Sequence, residues 1–70
     1  MSEEIVTELN KIDAPYGRKI ALESVEHASG MSMLRIRIRE GARFTVIDID
    51  EETARRWSAA MTAWASKPLH

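Results

Sequence analysis

The chain has 70 residues, of which 10 are basic and 11 acidic, and it contains no cysteine. A chain of this length forms one small domain that buries only about 60% of the surface its unfolded form exposes, which excludes a large core and a deep pocket. The lack of cysteine excludes disulfides and thiolate metal sites, and the formal net charge of -1 excludes strong long-range attraction to nucleic acids.

The amino-terminal sequence, MSEEIVTEL, bears on location. It is acidic where a secretory signal is basic, and no apolar run approaches the roughly 20 residues that a membrane span needs. We therefore expect a soluble, unprocessed, cytoplasmic protein that does not act at a membrane.

Residues 1–13 form a segment whose structure the sequence leaves open. Its apolar residues have the spacing of one helical face; they are Ile5, Val6, Leu9 and Ile12. The segment is also rich in β-branched residues and lacks a strong helix cap. A short helix is slightly favoured over a strand. The chain then reverses or bends at Ala14-Pro15-Tyr16-Gly17, where proline and glycine occupy the second and fourth positions of a turn.

Residues 14–67 predict a β-β-β-α domain. The first strand runs from Lys19 to His27, and Ala28-Ser29-Gly30 has glycine where a three-residue hairpin loop requires positive φ. This loop places Glu23 beside Arg35. It also places three apolar-face positions, Ile20, Leu22 and Ser24, opposite Ile38, Ile36 and Leu34 in turn.

The second strand alternates by side-chain type. Its aliphatic residues, Leu34, Ile36 and Ile38, fall on one side and its basic residues, Arg35, Arg37 and Arg39, on the other, as in a half-buried strand. We read Arg39-Glu40-Gly41 as a second three-residue loop. That reading predicts the pairs Ile38 with Ala42, Ile36 with Phe44 and Leu34 with Val46, and therefore a buried Phe44.

The last element is a helix from Glu51 to about Ala65. Asp50 is its expected N-cap, and Glu51 and Glu52 suit the positive end of the helix dipole. One side of the helix is apolar and is expected to pack on the sheet; it carries Ala54, Trp57, Ala60, Met61, Trp64 and Ala65. Pro68 limits the helix, which leaves residues 68–70 as a tail.

The predicted fold is therefore α+β. It is an antiparallel three-stranded meander, with an additional amino-terminal strand or helix where residues 1–13 fold, and one carboxy-terminal helix packs on one face of the sheet.

Three stretches, APYGRKIALE, SGMSMLRIRIREGARFTVIDID and TARRWSAAMTAWA, resemble small uncharacterised bacterial proteins classed as a domain of unknown function. The resemblance covers about residues 14–66. It implies a fold type, and it carries over no catalytic or binding residue.

No catalytic, cofactor or metal site is expected. Glu26 and His27 are adjacent in a strand and point to opposite faces, so they do not form an acid–base pair. The acidic cluster Asp48, Asp50, Glu51 and Glu52 is typical of a helix start and lacks the ligand spacing of a calcium loop. The serines have no partner base at a motif spacing, so we predict a protein that is not an enzyme.

Two surface features favour an interaction role. The first is an apolar cluster that the predicted register places on the sheet face away from the helix; it consists of Val25, Met33 and Ile47, bordered by Met31 and Ile49. An uncovered cluster of this kind indicates a homodimer or another protein partner, unless residues 5–12 fold over it.

The second feature is a basic face formed by Arg35, Arg37, Arg39 and Arg43, which makes weak nucleic-acid binding the alternative. If the amino terminus is helical, the chain is also similar in element order, α-β-β-β-α, to the double-stranded-RNA-binding domain. That family grips phosphates with lysines at the start of its last helix. Here the helix opens with Asp50, Glu51 and Glu52, so nucleic-acid binding is not expected; small-molecule binding is left open.

Overall fold

The structure is a computed structural model that describes residues 4–67. Residues 1–3 of the amino-terminal segment and the expected tail at 68–70 lie outside the described residues. The elements are β1 (Glu4–Ala14), a 3-10 turn (Pro15–Gly17), β2 (Arg18–His27), β3 (Ser32–Glu40), β4 (Arg43–Ile49) and α1 (Glu51–Ala65). The fold is α+β, with an antiparallel sheet followed by one carboxy-terminal helix.

The sheet has four strands in the order β1-β2-β3-β4, so the expected three-stranded sheet was wrong. The helix favoured for the amino-terminal segment was also wrong, because residues 4–14 form an edge strand on β2. A β-bulge between Glu8 and Asn10 explains the misreading. The extra residue shifts the two-residue alternation, so that Ile5 and Ile12 share one face although they are seven apart, a spacing that is also helical.

The β2–β3 hairpin confirms the predicted register. Leu22 pairs with Ile36, and Ile20 pairs with Ile38. The loop is closed by hydrogen bonds of 2.9 Å from the His27 amide to the Met31 carbonyl and from the Gly30 amide to the His27 carbonyl. Gly30 has a φ of 92°, as the three-residue loop requires.

The predicted β3–β4 register was wrong. Glu40 pairs with Arg43, so the loop has two residues, Gly41 and Ala42, and Gly41 alone of the two has positive φ, at 59°. This is the glycine-first pattern of a type II′ hairpin turn. The partner of Ile38 is Thr45 in place of Ala42. The pairing is shifted by three residues, an odd number, so every side chain of β4 lies on the face opposite to the one predicted.

The β1–β2 connection confirms the expected reversal, since Ala14 pairs with Arg18. Both Tyr16 (φ 66°) and Gly17 (φ 72°) occupy the left-handed region. Glycine adopts this conformation at little cost, whereas a tyrosine there is strained. The turn therefore depends on an unfavourable backbone conformation at an almost fully exposed residue.

The helix has the predicted bounds, and Asp50 is its N-cap: the Asp50 carboxylate accepts a hydrogen bond of 2.9 Å from the Thr53 amide. The expectation that its apolar side packs under the sheet was wrong. No residue of Glu51–Ala65 is buried. Asp50 is the only residue between β4 and α1, and the helix it starts contacts β3. Within the helix Ala54 is half-buried and Trp57 is 36% exposed.

Candidate interaction surface

One face of the sheet, here called the apolar face, carries the aliphatic side chains. Residues paired across neighbouring antiparallel strands point to the same side, so the registers define its membership. It contains all seven isoleucines of the chain, together with two leucines: Ile5, Ile12, Ile20, Leu22, Leu34, Ile36, Ile38, Ile47 and Ile49. Such a face is normally covered by a second layer of structure.

The apolar face is only partly covered in the single chain. Ile36, at its centre, is 7% exposed, but Ile5, Ile12 and Ile47 are among the exposed large hydrophobic residues. The first turn of α1 covers one corner, where a cleft of about 240 Å³ lies between Ala54 and Leu34. The remaining aliphatic surface has no covering layer within residues 4–67.

The helix bears a second uncovered apolar surface, here called the helix stripe, formed by Trp57, Met61 and Trp64. The exposed fractions rise along the helix, from 36% at Trp57 to 56% at Met61 and 71% at Trp64. Ala54, on the same side in the first turn, is half-buried. The helix thus leaves the sheet along its length, and Met61 and Trp64 lie mostly in solvent.

The structure does not bring the predicted apolar cluster together. Val25 and Met33 pair with each other on the face opposite the apolar face, here called the charged face. Ile47 and Ile49 lie on the apolar face, opposite Ile36 and Leu34. Met31 lies in the β2–β3 connection. The odd shift in the β3–β4 register separates these residues.

Val25 is nevertheless covered, since its exposed fraction is 0%. Val6 and Met33 flank it on the neighbouring strands. The Glu4 carboxylate on β1 lies 3.7 Å from the Arg35 guanidinium on β3, and this ion pair crosses β2 at the level of Val25. The cover is therefore intramolecular: Val6 and Met33 on the neighbouring strands and this ion pair surround Val25.

The predicted basic face is divided and partly neutralised. Arg35, Arg37 and Arg39 lie on the charged face, whereas Arg43 pairs with Glu40 on the apolar face. Arg35 donates to Asp48, and Arg37 donates to Glu23 at 2.9 Å. Glu23 was expected beside Arg35; the two residues are opposite in register, but the side-chain contact is diagonal.

A shallow groove of about 430 Å³ crosses the charged face near the β1–β2 turn. Its walls include Lys11, Lys19, Arg37, Arg39 and Phe44. Phe44, predicted to be buried, is exposed here, and the Arg39 guanidinium lies 5.7 Å from the centre of its ring. Phe44 falls on the charged face only when the β3–β4 loop has two residues. The sequence signal for that loop was the opposite charge of Asp48 and Arg35, which a two-residue loop pairs.

Ionic contacts and hydrogen bonds also shift the pKa values of three carboxylates. The Arg35 guanidinium holds the pKa of Asp48 below its ordinary value, and Arg18 lowers the pKa of Glu40 in the same way. The pKa of Asp50 is lowered by its hydrogen bonds with Thr53. Each of these carboxylates has a structural contact, with a neighbouring strand or with the helix start.

Two negative observations concern residues 4–67. Their histidine, aspartate and glutamate side chains form no group of three or more able to hold a metal ion. None of their helices combines the length and apolar character that crossing a bilayer requires.

Comparison with known proteins gives one match. The model of a family of unknown function, DUF6967, matches residues 3–67. The chain belongs to this family. Among the curated proteins and among the solved structures, nothing matches the chain at a significant level. The family match covers β1 through α1, so the amino-terminal strand belongs to the same unit as the hairpins and helix.

Proposed function

We propose that this DUF6967 chain is a non-enzymatic interaction module that works as a homodimer, formed over the apolar face. The observation that carries the proposal is the large solvent-accessible surface area of the single chain. The chain exposes 5952 Å², whereas a folded monomer of 7.9 kDa is expected to expose about 4,400 Å². The Cα radius of gyration of 14.4 Å also exceeds the roughly 11 Å expected for a compact domain of this length.

The size of the excess fits a dimer. If each chain buried about 1,500 Å² against its partner, the interface would total about 3,000 Å², which is within the range of obligate homodimers. The apolar face is also more aliphatic than a solvent-exposed sheet face, and a self-complementary patch closes by a twofold axis. The dimer supplies the second layer that the single sheet lacks. As a cysteine-free chain it is assigned to the cytoplasm in this proposal.

The runner-up role, weak nucleic-acid binding, has a narrower basis. Exposed Phe44 beside Arg39 on the charged face is the arrangement on which bases stack. Against this, Arg35 and Arg37 are engaged by Asp48 and Glu23, which leaves few cations for phosphates. We therefore rank it second.

The dimer is tested by sedimentation equilibrium and by urea unfolding at several protein concentrations. We expect a mass twice that of the chain and an unfolding midpoint that rises with concentration, because dissociation accompanies unfolding. A monomer at high micromolar concentration, with a midpoint independent of concentration, would contradict the proposal.

Two adjacent residues of β4 provide a matched pair of variants. Ile47 (38% exposed) lies on the apolar face, and Val46 (49% exposed) lies on the charged face opposite Arg37. Ile47→Glu places a charge in the dimer interface and should shift the protein to monomer or unfold it. Val46→Glu should leave both the mass and the folded state unchanged. Equal effects of the two variants would show that the apolar face is not the interface.

A further inference from the structure

We infer that the dimer is formed by helix exchange: α1 of each copy lays the helix stripe across the apolar face of the other. This inference rests on the proposed dimer and identifies what covers its interface. Two apolar surfaces of the same chain lack a full cover, one on the sheet and one on the helix.

The chain's own sheet covers only the start of the helix stripe: Trp57 is 36% exposed, whereas Trp64 is 71% exposed. Asp50 alone connects β4 to α1, and its backbone is extended (φ -86°, ψ 177°) while its carboxylate caps Thr53. This connection fixes the direction in which the helix leaves the sheet. Contact with β3 then holds near Ala54 and is lost towards Trp64, so the surface that buries Trp64 belongs to another molecule.

The two surfaces match in size. The 15 residues of α1 span about 22 Å, and the nine residues of β3 span about 30 Å, so the helix fits along the sheet. Four strands spaced about 4.8 Å apart are wider than one helix of about 10 Å. The first turn of the chain's own helix and the helix of the partner together therefore fit the width of the apolar face.

They also match in chemistry. The charged residues of α1 lie away from the helix stripe and contact one another: Arg55 lies 3.4 Å from both Glu51 and Glu52, and Arg56 lies 3.2 Å from Glu52. Exchange therefore buries aromatic and thioether groups against isoleucines and leaves these ion pairs in water. A dimer formed by two sheets alone would leave Met61 and Trp64 exposed, so it accounts for only one of the two surfaces.

The distribution of residue types allows a direct test by NMR. All seven isoleucines lie on the apolar face, and both tryptophans, Trp57 and Trp64, lie on α1. Chains that are deuterated except for ¹H,¹³C-labelled isoleucine methyls are mixed with unlabelled protonated chains, so contacts from these methyls to aromatic protons can arise only between molecules. We expect intermolecular contacts from isoleucine methyls to the Trp64 indole.

The outcomes separate this inference from the proposed dimer. A dimer that shows intermolecular contacts between the isoleucines of two sheets, and none to tryptophan, would overturn helix exchange and leave the dimer intact. A monomeric protein with no intermolecular contact would overturn both.

Variants of α1 give a second readout. Trp64→Ala should weaken dimerisation about 30-fold or more, as expected for a buried aromatic anchor. Ala63→Glu, at the adjacent position about 100° around the helix and away from the helix stripe, is the control and should leave the dissociation constant unchanged. Because Trp64 is largely exposed in the single chain, its replacement should not unfold the monomer. An unchanged dissociation constant in Trp64→Ala would overturn the inference.

Discussion

Arg35 and Asp48 form a two-point contact between β3 and β4: the Arg35 Nε and Nη2 atoms donate to the two Asp48 carboxylate oxygens at 2.9 and 3.0 Å. The two residues are directly opposite in the register. A slip by one residue would move Asp48 to the apolar face and break both hydrogen bonds. The pair therefore specifies which side chains of β4 join the isoleucines.

The Arg35–Asp48 pair predicts a loss of stability in acid. Folding lowers the pKa of Asp48, so the pair contributes fully above the ordinary value of 3.8 and loses its contribution as pH falls through the lowered pKa. Urea unfolding between pH 7 and pH 2 should show stability falling below about pH 4. Asp48→Asn should be less stable at pH 7 and should show a weaker decline. A decline as steep as that of the unmodified protein would contradict this role for Asp48.

The β3–β4 turn predicts a backbone effect at Gly41. An added Cβ would meet no atom within 4 Å, so substitution acts through the positive φ alone. Gly41→Val should cost about 1 to 2 kcal/mol, and Gly41→Asn should cost less. The measurement is the urea midpoint. Ala42→Val, at a position without positive φ, is the control and should change it little. Equal losses in the two Gly41 variants would show that the loop differs from the one described.

The strained turn at Tyr16 predicts a stabilising substitution. Tyr16→Gly removes the strain of a tyrosine in the left-handed conformation and should raise the free energy of unfolding by up to about 1 kcal/mol. Two effects reduce this gain: glycine increases the conformational entropy of the unfolded chain, and the contact with Arg18 is lost. Tyr16→Asn should act in the same direction. Tyr16→Phe keeps the ring and the backbone strain, so its thermal midpoint should equal that of the unmodified protein. Destabilisation by both Gly and Asn would show that the tyrosine side chain makes a needed contact.

The charged face predicts weak or absent binding to single-stranded RNA and DNA. The ion pairs of Arg35 and Arg37 compete with phosphate, so fluorescence anisotropy at physiological salt should detect no sub-micromolar affinity. Phe44→Ala should then have no effect on the titration. A salt-sensitive, sub-micromolar affinity that is lost in Phe44→Ala or in the Arg35→Ala, Arg37→Ala double variant would promote the runner-up role.

The sequence was sufficient where its signals were local. Alternation with a glycine in third place determined the β2–β3 register, and Asp50 followed by two acidic residues determined the helix start. It failed at Leu9, because a bulge in a strand imitates helical spacing, and at Gly41, because glycine serves both two- and three-residue loops. The exposure of Trp64 was not predictable either, since an amphipathic helix indicates that its apolar side is covered and does not indicate which molecule covers it.

The bulge between Glu8 and Asn10 has a consequence for how large an assembly can grow. β1 is an outer strand of 11 residues, and a straight strand of that length would offer unpaired amides to any neighbouring chain and allow open-ended fibre growth. The bulge twists this edge and interrupts its hydrogen-bonding row, and Glu8 and Lys11 place charge beside the interruption. Growth by strand addition at this edge is thereby opposed, which favours the closed twofold assembly proposed above over an open-ended stack of sheets.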